Sequence, residues 1–296
     1  MSGVVIKKEH KYMFMSFAGN AIFGLSFLFS KLAMEVADPV VLVAVRFTVA
    51  FLLLNILRFS GVLPCNFKGK DIKPVILLGV YQPVIYFLCE SYGIKYSSSS
   101  FSGIIISLIP IVGLVLGSII LKEKQTLAKI LFSILSVAGV IVMTVTGGVG
   151  SFMWKGFIFL LGAVFAGAMF NIQSRSIADK FTAFERTYVM FAVGTVVFLC
   201  MAVVKVWGHF EMLTVPLTNG YFWISIVYLS CVSSVGAFML LNKALDVLEV
   251  ARSLVFANVT TVISVIAGVF ILHEYFSPVQ IIGIIMVIIG VYGVNR

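Results

Sequence analysis

The chain has 296 residues, of which 61% are hydrophobic and only 11% charged, and it carries a formal net charge of +9. A mean hydropathy of +1.13 lies far from the range of soluble domains and marks a chain that lives in lipid. In a soluble protein the basic balance would suggest nucleic acid; here its distribution between loops decides the reading.

A spanning helix needs roughly 20 apolar residues. Ten stretches of that kind follow one another: Tyr12 to Ala33, Pro39 to Phe59, Pro74 to Ile94, Ser98 to Leu121, Leu127 to Thr146, Met153 to Ser174, Phe184 to Trp207, Gly220 to Leu241, Ala251 to Leu272 and Pro278 to Val294. Short connections leave no room for a separate soluble domain, and no stretch alternates as an outer-membrane barrel strand would. The expected fold is all-α and polytopic, with ten transmembrane helices. The basic N-terminus and first apolar run could be taken for a signal peptide. That run is long, lacks an Ala-x-Ala site and precedes nine further spans, so cleavage is not expected. Cys65, Cys89, Cys200 and Cys231 form no Cys-x-x-Cys pair, so neither a disulfide framework nor a metal site follows.

With the N-terminus assigned to the cytoplasm, the inner side carries Lys7, Lys8, Lys11, Arg58, Lys68, Lys70, Lys73, Lys122, Lys124, Lys129, Arg175, Lys180, Arg186, Lys243, Arg252 and Arg296. The outer side has Lys31, Lys95, Lys155 and Lys205, and Arg46 falls inside a span. Positive loops stay cytoplasmic during insertion, so the asymmetry predicts the orientation and accounts for the charge without nucleic acid.

The chain also repeats itself. A gapless offset of 151 sets Ser102 on Ser253, Gly117 on Gly268, Leu121-Lys122-Glu123 on Leu272-His273-Glu274, Ile130 on Ile281 and Gly139-Val140 on Gly290-Val291. An offset of 144 relates the starts of the halves, with Phe27 on Asn171, Ser30 on Ser174 and Lys31 on Arg175. Two units are expected, 1–146 and 147–296. Five spans each would place their ends on opposite faces, so the second unit would be inverted, as in many secondary transporters.

Phe23-Gly24 followed by Lys31, Ala-Val-Arg-Phe around Arg46, the run from Tyr92 through Ser97-Ser98-Ser99-Ser100 to Pro110, and the Leu-Lys-Glu ending at Glu123 resemble the drug/metabolite transporter superfamily. The ten-helix EamA-type branch fits best, and Asn242-Lys243-Ala244-Leu245 and Leu-His-Glu at Glu274 match the second copy of its pattern. The resemblance implies a pathway lined mainly by spans 1, 3, 4, 6, 8 and 9, with spans 5 and 10 as scaffold. It also implies export of amino acids or other small metabolites, and an integral protein of the bacterial inner (plasma) membrane with both termini cytoplasmic.

Polar residues inside the spans point to the same helices. Ser16, Asn20, Phe23, Phe27 and Ser30 recur at three- and four-residue steps on one face of span 1. Asn171 and Ser174 hold the equivalent positions in span 6. Ser107 and Asn258 correspond in spans 4 and 9 and enter from opposite faces. Both therefore fall roughly 10–14 Å deep at a rise of about 1.5 Å per residue. A central cavity lined by Asn20, Tyr86, Ser107, Asn171 and Asn258 is expected. Each of these groups has a packing alternative, because Ser and Asn in membrane helices also bond a neighbouring helix or their own backbone.

Two charges lie within spans at similar depth, Arg46 and Glu90, and could pair. Arg46 reads as structural, whereas Glu90 on pathway span 3 reads as a pathway residue and the candidate coupling group, by proton uptake or by pairing with a substrate cation. Its alternative is a carboxylate reaching the outer interface or neutralised by Arg46 or Lys95. Gly113-x-x-x-Gly117 and Ser264-x-x-x-Gly268 predict close helix approach, Pro83 and Pro110 predict bends, and Glu123 and Glu274 are expected to cap following helices or bind loops.

A small-molecule substrate and the bilayer are the expected partners, and no cofactor is implied. A membrane-embedded enzyme is the other functional class considered. His10, His209 and His273 lie outside the spans or at their ends, and neither His-Glu-x-x-His nor Gly-x-Ser-x-Gly occurs. Among transporters, a lipid-linked flippase or a nucleotide-sugar carrier is the alternative to a metabolite exporter; the latter calls for more cationic pathway residues.

Overall fold

In the computed structural model the described residues are 2–63, 65–96, 105–145, 154–272 and 278–295, and every regular element among them is helical. The Ser97 to Ser100 run, Ser102, the 147–151 connection, His273 and Glu274, and the side chains of Phe27 and Ser264, all singled out above, lie outside the described residues.

The first half contains α1 (Ser2–Met34), α2 (Pro39–Phe59), α3 (Lys73–Gly79), a π-helical segment Val80–Ile85, α4 (Tyr86–Lys95), α5 (Ile109–Ile120) and α6 (Leu127–Val145). The second contains α7 (Trp154–Ser176), α8 (Ala183–Val206), a short α9 (Glu211–Leu217), α10 (Gly220–Val227), a second π segment Tyr228–Ala237, α11 (Phe238–Ala244), α12 (Val250–Leu254), α13 (Ala257–Leu272) and α14 (Pro278–Asn295). Among the described residues, five helices are long and apolar enough to cross a membrane: Glu9–Met34, Pro39–Phe59, Trp154–Ser176, Ala183–Val206 and Gly220–Ala244.

Local chemistry sets several ends. Asp38 accepts the Val40 N–H at 2.9 Å just ahead of Pro39, which opens α2. Thr182 and Glu185 form a reciprocal capping box that starts α8. Asn219 accepts the Phe222 N–H at 3.1 Å at the start of α10.

Two of the expected continuous spans are divided. Pro83 disfavours the helical region for the residue before it, and Gln82 adopts φ −144°, ψ 122°, which divides α3 from α4. Span 9 is divided into α12 and α13 by a turn at Val255–Phe256. Pro110 does not bend a helix as expected; it stands in the first turn of α5, where its missing N–H leaves no bond unmade. The π segments fall in the third span of each half, and π turns inside α-helices concentrate at functional sites.

Spans 5 and 10, α6 and α14, run antiparallel in close contact. A Cβ on Gly139 would lie 2.6 Å from the Gly283 carbonyl oxygen, and one on Gly290 would lie 2.6 Å from the Phe132 carbonyl oxygen. Phe132 and Gly283 differ by 151, as do Gly139 and Gly290, so the contact is reciprocal. At the other end α2 packs on α8. Between these pairs, α1 crosses α13 and span 8, while α7 crosses α4 and α5. Gly113 and Gly117 of α5 face Leu254 and Val250 of α12, the close approach their spacing predicts.

Aromatic rings from the two halves meet among the described residues. Phe238 contacts Phe23 at 5.1 Å, Phe191 at 5.5 Å and Phe170 at 5.9 Å between centroids, and Phe47 contacts Phe191 at 5.0 Å. Leu52, Ile56, Ile119, Val204 and Ile288 point outward, as lipid-facing positions do.

Candidate functional site

The break at Gln82 delivers two polar side chains to one place. Tyr86 begins α4 and Glu90 follows one turn later on the same face, so the Tyr86 hydroxyl donates to Glu90 Oε1 at 3.1 Å. The Tyr86 ring lies against Gly167 of α7, where a Cβ would come within 3.4 Å of it. Asn171, one turn further along α7, donates its amide to the Gly167 carbonyl at 2.9 Å. Ser107 is buried in the turn immediately before α5, whose Ile109 also touches Gly167. Tyr86, Glu90 and Asn171 are thus gathered where spans 3, 4 and 6 meet, with Ser107 beside them in sequence.

Asn20 and Asn258 stand elsewhere. The Asn20 amide donates to the Ser16 carbonyl at 2.8 Å, while Thr260 Oγ1 donates to the Asn20 carbonyl at 3.0 Å, along the seam of α1 with α13. Ser16 joins Ser253 on the same seam at 3.2 Å. The Asn258 amide donates to Ser136 Oγ at 2.9 Å and is directed to α6.

Of the pairings left open for Arg46, the structure shows hydroxyl partners. No ion pair within 4.0 Å joins it to Glu90 among the described residues; Nε donates to Ser234 Oγ at 2.8 Å and Nη2 to Ser233 Oγ at 3.1 Å. Ser26 of α1 donates to Ser233 at 2.7 Å, and the Phe87 and Phe47 rings lie 5.5 and 5.8 Å from the guanidinium carbon. Sequence reasoning missed Ser26, Ser233 and Ser234. Their only signal was a serine cluster, Ser230, Ser233 and Ser234, in an otherwise apolar span.

A second buried network closes the end that the charge count assigns to the cytoplasm. Arg186, with no exposed surface, donates to the Ser174 carbonyl at 2.6 Å, Ser174 Oγ at 2.9 Å and the Asn242 carbonyl at 2.7 Å, and it forms an ion pair with Asp246. Asn242 in turn donates to Thr187 at 3.0 Å and accepts from Ser174 at 2.6 Å. Beside it lies a cavity of ≈ 440 Å³ lined by residues that include Leu121, Glu123, Arg175, Asp179 and Asp246.

Glu123 holds the start of α12 rather than the helix that follows it in sequence: its carboxylate accepts the Val250 N–H at 3.1 and 3.2 Å, and Lys129 pairs with neighbouring Glu249. Burial pushes the Glu123 carboxyl above the ordinary carboxylate range, against the Val250 bond and the nearby Arg175 and Lys129. The folded protein therefore holds this proton more tightly than the unfolded chain. Its contribution to stability is fully present below the unfolded value of about 4.3 and is lost as pH rises through the raised folded value. Glu123→Gln keeps an acceptor for Val250 and removes the titration. Thermal unfolding in detergent should give the variant and the native protein equal stability near pH 4, with the variant gaining as pH rises to 8; a variant that loses stability on that path would show that the ionised form is favoured there. Burial raises the Cys65 thiol to about 11, which keeps it protonated at neutral pH.

Comparison with known proteins bears on this geometry. The EamA-like transporter family matches residues 10–145 and again residues 154–296. The chain belongs to that family. An uncharacterized transporter of Bacillus subtilis, YcxC, is 35% identical over 278 residues, covering 93% of this chain and 89% of its own. An uncharacterized transporter of Archaeoglobus fulgidus is 25% identical over 92% of this chain and 94% of its own. A protein of Streptantibioticus cattleyicolor described as a probable terminal-alkyne amino-acid exporter is 25% identical over 77% of this chain and 75% of its own. One crystal structure superposes with a TM-score of 0.79 at 16% identity, covering 95% of each chain, which shows a shared fold. As an EamA-like transporter the chain is an integral membrane protein with an all-α polytopic fold, and its partners are a small-molecule substrate and the lipid bilayer.

Proposed function

We propose that this EamA-like transporter is a secondary carrier of a bacterial inner (plasma) membrane. It exports small metabolites such as amino acids or related compounds by alternating access. Its ten spans form two halves, 1–146 and 147–296, inverted against one another, with both termini cytoplasmic. The observation that carries this reading is the reciprocal packing of Gly139 on Gly283 and Gly290 on Phe132 across antiparallel α6 and α14, since an inverted pair of halves can exchange inward- and outward-facing arrangements by rocking. Segregation of the loop contacts supports the orientation. Glu9 binds Arg252, Glu123 binds Val250 and Glu185 binds Lys70 at the end assigned inward, while Asp38 binds Lys205 at the other. Reporter fusions within 147–151 should be active outside the cytoplasm; cytoplasmic activity there would refute the topology.

The proposed pathway comprises Asn20, Tyr86, Glu90, Ser107, Asn171 and Asn258, with Glu90 as the coupling group through proton uptake or pairing with a substrate cation. The exporter name of the Streptantibioticus cattleyicolor relative favours amino-acid-like cargo. Solute counterflow into proteoliposomes tests the reading. A saturable flux is expected, and Glu90→Gln, which keeps the acceptor for Tyr86, should lower it at least about tenfold and flatten its pH dependence. A variant with native flux and native pH profile would remove Glu90 from the mechanism.

A further inference from the structure

Arg46 and Glu90 are opposite charges on spans 2 and 3, and the Phe87 ring, three residues before Glu90 on α4, lies 5.5 Å from the Arg46 guanidinium carbon. No ion pair within 4.0 Å forms between them, although both side chains belong to the described residues. Each is instead held in position by neutral groups. Ser233 and Ser234 fix the guanidinium from span 8, and Ser233 is itself held by Ser26 of span 1. Tyr86 fixes one carboxylate oxygen from the same helix. Hydroxyls orient a charge without neutralising it. No described carboxylate lies within 4.0 Å of Arg46, and no described cation within 4.0 Å of Glu90. Two charges that are partly or wholly buried, oriented and kept apart suit a molecule that carries both complementary charges, because its own dipole completes two pairs at once.

From this geometry we infer that Arg46 and Glu90 are the two poles of a zwitterion subsite, Arg46 receiving the substrate carboxylate and Glu90 its ammonium. The inference rests on the carrier reading above and adds a role for Arg46, which that reading leaves as structural. A guanidinium suits this end because its planar fork can bond a carboxylate through two parallel N–H groups while a third donor stays on a serine. The Phe47 and Phe87 rings beside the guanidinium give it an apolar surround that would strengthen its pair with a carboxylate.

The test is counterflow into proteoliposomes driven by each of the twenty L-α-amino acids. The best of them is then competed with its own decarboxylated amine and its own deaminated acid. In the native protein the zwitterion should outcompete both single-charge analogues by at least about tenfold, since a site built for a polar group rejects the analogue that lacks it. Glu90→Gln should abolish the advantage over the acid and keep the advantage over the amine. Arg46→Gln should do the reverse. If Arg46→Gln folds poorly, Arg46→Lys serves, and it should retain the preference for the zwitterion over the amine in weakened form. Equal competition by amine, acid and zwitterion would overturn the subsite while leaving an amino-acid carrier. Flux of a non-zwitterionic metabolite with none of any amino acid would also overturn it, leaving only the carrier. Unchanged selectivity in Glu90→Gln would overturn it independently of how Arg46 variants fold.

Discussion

Replacing Arg186 by Met should destabilise the protein by about 3–5 kcal/mol, the range for removing one member of a buried ion pair. The guanidinium joins α7, α8 and α11: it meets two acceptors on Ser174, the Asn242 carbonyl and Asp246. Loss of these donors leaves the Asn242 and Ser174 acceptors with fewer partners in a place water does not reach. Asp246 retains Lys243 at 2.8 Å, which offsets part of the loss and places the expected value nearer the lower figure. Arg186→Lys keeps the charge but not the fork, so it should fall between the two. The measurement is the unfolding midpoint in detergent. A Met variant within about 1 kcal/mol of the native protein would show that the network is not a structural tie.

The second large effect is expected at the α6–α14 contact. A Cβ on Gly290 would meet the Phe132 carbonyl oxygen at 2.6 Å, Ser136 Cβ at 2.6 Å and Ser136 N at 2.7 Å. Most of these atoms are backbone, so no side-chain rotation relieves the clash and the helices must separate. Overpacking of this kind costs about 1–3 kcal/mol, and more is expected for Gly290→Leu. Membrane helices associate largely through close packing, which separation removes. Separation would also pull Ser136 from Asn258. Gly220, with nothing within 4 Å of its Cβ position, is the control. Gly290→Ala should lower the unfolding midpoint clearly while Gly220→Ala leaves it in place; equal midpoints would mean that the contact is looser than its geometry.

Much of the site was legible because intramembrane polarity is rare. Glu90 stood out as a lone acid in an apolar span, Tyr86 preceded it by one helical turn, and Asn171 followed from the internal offset. The partners of Arg46 were not legible. Serine satisfies itself on its own helix as readily as it reaches across to another, so Ser233 and Ser234 carried no sign that an arginine 187 and 188 positions away would find them. Asn258 illustrates the same limit from the other side. Its partner was equally hidden, and only the docking of α13 on α6 revealed Ser136 opposite it.

The amino-acid sequence by itself determined the solvent, the helical class and the family pattern of this protein. A run of about 20 apolar residues can satisfy its backbone in lipid only as a helix or a closed barrel, whatever its neighbours, and these runs lack the barrel alternation. Tertiary structure decided which face of each helix meets which partner. In a soluble helix an apolar stripe announces the buried face, but these helices are apolar all round, with Leu52 and Phe47 of α2 differing in exposure and not in polarity. The choice between lipid and protein then falls to small residues and hydrogen bonds. Gly139 against Gly283, Arg46 against Ser234 rather than Glu90, and the Tyr86 ring against Gly167 all exist only once the helices are packed.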